Sequence, residues 1–64
     1  MVTKLRIVRA EQGITQHKLS HLSGIPERRI CFWENGFNSL KPHEKAKIAE
    51  ILGRAFEDIF PEGV

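Results

Sequence analysis

The chain carries one cysteine, Cys31, so no internal disulfide can staple it. Its three histidines, His17, His21 and His43, are scattered, and with a single thiol they supply no complete set of zinc ligands. His17 and His21 lie four apart, but the glutamate that a metalloprotease helix would place between them is Lys18. Both read as solvated surface residues, and neither a metal site nor a cofactor is expected. No apolar run reaches the length of a membrane span, and the start lacks the apolar stretch of a signal peptide, so a cytoplasmic location is expected. Strand-like alternation, internal repeats and low-complexity segments are missing too. There is no glycine-rich phosphate loop and no serine, histidine and carboxylate arrangement spaced for a triad. A domain this small also has little volume for a substrate pocket, so an enzyme is not expected. The 64 residues amount to one domain, 1–64, of a size that buries only about 60% of the surface its unfolded chain exposes. With disulfide and metal excluded, oligomerisation is the remaining aid to stability.

What is present is helical. The first helix is predicted from about Thr3 to Gln12, with Leu5, Val8 and Arg9 on one side and Gly13 as its stop. Thr15 is a good N-cap for a second helix with apolar positions Leu19 and Leu22, small residues Ser20 and Ser23, and Gly24 at its end. Only Ile25 and Pro26 separate that glycine from a third helix, Pro26 to about Glu34, so the two must cross steeply at a tight corner. Ile30 and Trp33 face inward from it, and Asn35-Gly36 supplies a turn. After a loop from Phe37 to Lys41, Pro42 opens a fourth helix with a stripe of Ile48, Ala49 and Leu52, stopped by Gly53. A short fifth helix, Ala55 to Phe60, offers Phe56, Ile59 and Phe60, and Pro61 ends it. Charge is uneven: Met1 to Arg29 holds six basic and two acidic residues (+4), and Ile30 to Val64 holds four and six (−2). A basic half suits a polyanionic partner.

A helix, a glycine corner and a second helix with one apolar face is the helix-turn-helix arrangement, here 15–34. The string Gly13-Ile14-Thr15-Gln16, Leu19-Ser20, Gly24-Ile25-Pro26, Ile30 and Trp33-Glu34-Asn35-Gly36 resembles the phage Cro and repressor (XRE-type) family of helix-turn-helix domains. The resemblance runs from Leu5 to Ile59-Phe60. It implies an all-α, compact five-helix fold of the lambda-repressor kind, with the third helix in the major groove. Two subunits, a homodimer at least on DNA, would then bind a near-palindromic double-stranded site as a regulator. Family precedent and the apolar residues after Glu57 place the dimer surface in the C-terminal part. The same fold also serves as an antitoxin or adaptor that grips a protein partner, a role that exposed Phe32 and Phe37 would suit.

At 100° per residue, Glu27, Arg28, Cys31 and Phe32 lie opposite Ile30 and Trp33 and form the base-facing set. Arg28 can pair with the O6 and N7 of a guanine; Glu27, at a base-contacting position of the family, can accept from a cytosine amino group or orient Arg28. Phe32 stands where the family more often has a small or polar residue. It either meets a thymine methyl or covers the core edge or a dimer contact. Cys31 is either a small neutral contact or a thiol whose oxidation blocks binding. Arg29, four before Trp33, either reaches a phosphate or packs on the indole. Thr15 and Gln16 open the second helix, where free N–H groups favour an anion. The resemblance makes Gln16 a phosphate contact that also braces Glu27, and makes Asn35 another, with Asn38, Ser39 and Lys41 as weaker candidates. It also implies a structural ion pair between Arg9 and Glu34. The chain departs from the family at Pro26, which cannot act as a side-chain cap, and at Arg54 and Ala55, which weaken the start of the fifth helix.

Overall fold

The computed structural model describes residues 3–61, and these form five helices with no strand among them. α1 (Lys4–Glu11) starts at Thr3, whose hydroxyl accepts from the Arg6 N–H at 3.3 Å. Leu5 and Val8 carry its buried side. α2 (Gln16–Ser23) starts at Thr15, whose hydroxyl accepts from the Lys18 N–H at 3.0 Å. Each cap satisfies a donor that the first turn would otherwise leave unpaired.

The corner after α2 is closed by small side chains. Gly24 takes a left-handed conformation (φ 76°), and its N–H donates to the Ser20 carbonyl at 2.8 Å. The Ser20 hydroxyl donates to the Ile25 carbonyl at 2.6 Å, and the Ile25 N–H donates to the Ser23 hydroxyl at 3.3 Å. Ile25 is thereby pinned into the core. These contacts fix the rotation of α2: Gln16, Leu19, Ser20 and Ser23 fall within one arc of about 100° and face the packed side. Leu22 lies outside that arc and is 45% exposed, so its expected place in the core is corrected. α3 (Glu27–Glu34) follows after Pro26, which gives no side-chain cap.

α4 (Pro42–Leu52) begins after Lys41. The Lys41 side chain has no acceptor, but the Glu44 carboxylate accepts from the Lys41 N–H at 2.8 Å and so makes the return half of a capping box. α5 (Phe56–Ile59) is a single turn with no side-chain cap at Ala55. α2 packs on α3 and α4, and α5 on α1 and α4. The core joins Leu5, Val8, Leu19, Ile25, Ile30, Ile48, Leu52, Ile59 and Phe60 with Leu40, which the loop before α4 delivers inward. Ile59 and Phe60 are enclosed, so these two build the interior and not a dimer surface; Val64, the other apolar residue after Glu57, lies outside the described residues. Lys45 is buried too, its ammonium 4.3 Å from the centre of the Trp33 ring and 5.7 Å from that of Phe60. The α1 and α4 ends are tied by the Gln12 amide, which donates to the Leu52 carbonyl at 2.7 Å.

Candidate nucleic-acid interface

Two polar clamps hold α3 against the body. At its C-terminal end, Glu34 is buried and accepts from three donors: Arg9 Nε at 2.8 Å, Arg9 Nη2 at 3.0 Å and Gln16 Nε2 at 3.0 Å. The third nitrogen of Arg9 donates to the Ile14 carbonyl at 2.7 Å. One carboxylate thus joins α1, the start of α2 and the end of α3, and the fork geometry of the guanidinium matches it on two points. On the other flank, Arg29 donates to Glu44 through Nη1 at 2.6 Å and Nη2 at 2.5 Å, and through Nε to the Ser39 carbonyl at 3.1 Å. The Ser39 hydroxyl returns a bond to the Arg29 carbonyl at 2.6 Å. Burial pushes the Glu44 carboxyl up, but the Lys41 N–H, the bonds and charge of Arg29 and the charge of His43 outweigh it, leaving the group below its ordinary value.

With its inner face fixed this way, α3 turns Glu27, Arg28, Phe32 and Asn35 to solvent. Arg28 makes no side-chain hydrogen bond to any of the described residues, so its donor fork is unspent. Glu27 sits in the first turn with His17 Nδ1 3.4 Å from its Oε1; both side chains are well exposed. Cys31 is half-buried and lies on the same side of the helix, between Glu27 and Arg28. Phe32 is 49% exposed and meets Phe37 edge-on, ring centres 6.0 Å apart.

Several sequence expectations shift against this geometry. Gln16 braces Glu34 instead of Glu27, and His17 takes the place beside Glu27. Arg29 is consumed by Glu44 and Ser39, so every nitrogen of its guanidinium points inward and the phosphate alternative is corrected to a packing role; its partner is not the indole. Asn35 ends α3, and its side-chain amide donates to the Cys31 carbonyl at 2.9 Å and the Cys31 sulfur at 3.4 Å. The side chain is exposed and ties off the end of the helix. Thr15, Asn38 and Lys41 are exposed, and the Arg9–Glu34 pair is present at the distances given. The sequence reading missed Glu44, Lys45 and the inward turn of Leu40. Glu44 carried a signal, since it stands three residues after the N-cap, where a capping carboxylate belongs.

The family model described as "Helix-turn-helix" matches residues 5–59. A relative from Archaeoglobus fulgidus, described as an uncharacterized HTH-type transcriptional regulator, is 33% identical over 60 residues, which cover 94% of this chain and 86% of that protein. No solved structure matches the chain. The matched span takes in all five helices except the first residue of α1, the corner at Gly24 and both clamps on α3: the chain belongs to the helix-turn-helix family of the Cro and repressor type.

Proposed function

We propose that the chain is a sequence-specific regulator of transcription that binds double-stranded DNA. In this reading it is a small repressor, seated as a homodimer on a near-palindromic operator with α3 in the major groove. The observation that carries this reading is the division of labour between adjacent arginines: Arg29 is locked inside by Glu44, while Arg28 projects from α3 with its fork unspent. A rigidly held helix presenting an uncommitted guanidinium is what bidentate reading of a guanine edge requires. Glu27 and Phe32 flank Arg28 on that face as further base contacts, and Cys31 lies between Glu27 and Arg28 as a small neutral one. Backbone contacts come from the start of α2, where Thr15 and Gln16 lead a helix end that favours anions, and from Asn38 and Lys41 in the loop before α4.

Selection of sites from a random duplex pool by the purified protein tests this. Inverted half-sites about 34 Å apart should be enriched, and affinity should fall with salt at a log–log slope of about −0.9 per phosphate neutralised. No enrichment, with no binding even at low salt, would overturn it. The exposed Phe32–Phe37 pair favours a second reading, a protein-interaction module such as an antitoxin or adaptor. That module would hold a protein partner with little dependence on salt.

A further inference from the structure

We infer that His17 is a positioning residue for Glu27, and that its imidazole takes up a proton when α3 meets DNA, so that the reading made by Glu27 depends on pH. The inference rests on the DNA-binding reading above. The corner at Gly24 brings the two residues together from different helices. His17 stands second in α2 and Glu27 first in α3, and His17 Nδ1 lies 3.4 Å from Glu27 Oε1. Their side chains are 86% and 49% exposed, so a molecule docking on α3 meets both. The neighbours that could take the place of His17 do other work or stand apart. The Gln16 amide is spent on Glu34, and Arg28 makes no side-chain bond to Glu27 or to any other described residue. His17 is therefore the side chain that sets where the Glu27 carboxylate points.

Charge decides what this contact does. A carboxylate accepts well from a cytosine amino group, but to reach one it must pass between phosphates that repel it. An imidazolium beside it offsets that repulsion and holds it by a charge-assisted bond, which a neutral ring cannot do. In the free chain the pair is exposed and adds little to stability, so removing it leaves the fold intact. Against a duplex, water is displaced, and Glu27 and the phosphates both favour the charged ring. The groups that oppose the proton are fewer: Lys18 and His21 on α2, with His21 one turn along the same side, and Arg28 on α3. Arg9 of α1 is matched by Glu34, and α4 brings His43, Glu44 and Lys47 beside Ser23, at the far end of α2. The complex thus holds the proton more firmly than the free chain does. Binding takes it up, and affinity rises as pH falls until the free ring is charged as well. Imidazoles in general change charge between about pH 5 and 8, which is the range in which this coupling acts.

The test uses the full chain and a duplex carrying the site found by selection, with affinity measured at about pH 6 and about pH 8 at one salt concentration. A second duplex has the base pair exchanged at which Glu27→Gln relaxes preference. Wild type should gain about five- to twentyfold on the selected site at the lower pH, and less on the exchanged one. His17→Gln should lose most of that gain, with circular dichroism showing an intact fold. His17→Lys, whose charge is permanent, should bind tightly at both pH values. Glu27→Gln should lose the gain although the imidazole remains. A gain that survives in His17→Gln would overturn the inference, as would one that survives in Glu27→Gln, which would make the proton serve a phosphate instead of Glu27. Ring NMR signals of His17 in wild type give a measure free of any substitution: the ring should stay charged to higher pH on the duplex, and identical titration with and without DNA would also overturn the inference. Failure of wild type to bind any duplex at either pH would overturn the DNA-binding reading itself, and this inference with it.

Discussion

Two arginines side by side in α3 have opposite fates, and what separates them is one rotation of 100° along the helix. Arg28→Ala should relax preference at one base pair of each half-site, by about 1–3 kcal/mol of discrimination. Gln16→Ala, by contrast, should weaken all sequences alike. Binding of both variants to a panel of point-substituted half-sites checks this; a uniform loss for Arg28→Ala would remove it as the base reader. Glu44 makes a prediction about acidity. Its carboxyl is held below its ordinary value in the folded chain, so it contributes stability above the unfolded carboxylate range, and that contribution disappears as pH falls through the folded value. Glu44→Gln should therefore unfold at lower urea than wild type at pH 7, and the gap should close on acidification toward pH 3. A gap of constant size across that range would assign the loss to packing rather than to charge. The sequence could expose the candidate Arg28 because helical periodicity alone decides which residues share a face. It could not expose the Arg29–Glu44 pair, because the register of the loop from Phe37 to Lys41 decides whether α4 comes within reach.

Helices and their limits were largely legible, since Thr3, Thr15, Gly24, Pro42 and Gly53 are end signals that act within a few residues. Leu22 and Leu40 were misread or missed because their burial depends on how elements rotate against one another. Ser20 and Ser23 turn α2 by bonding across the corner, and no pattern of hydrophobicity within α2 encodes that. At this corner Gly24 is held at φ 76°, and a Cβ there would meet no atom within 4 Å. Gly24→Ala should thus cost about 1–2 kcal/mol from backbone strain alone. Thermal unfolding measures the loss. An unchanged midpoint would mean that the corner relaxes to another conformation, in which case affinity for a half-site should fall instead.

Across the whole molecule, a small core leaves stability narrow, so the polar clamp at Glu34 matters out of proportion to its size. Removing one member leaves a buried charge without its partner. Arg9→Ala and Glu34→Ala should each destabilise by about 3–5 kcal/mol, and the double variant by far less than their sum. Additive effects in a double-mutant cycle would show that the two act separately. The same packing makes Trp33, the chain's one tryptophan, a natural optical gauge. Its indole lies beneath the Lys45 ammonium and edge-on to Phe60, on the inner side of the helix that presents Arg28 outward. Emission from that ring therefore reports whether α3 is seated on the body, without label or added dye. Loosening of α3 ahead of the remaining helices would register as a change in colour and intensity before any loss of helical content.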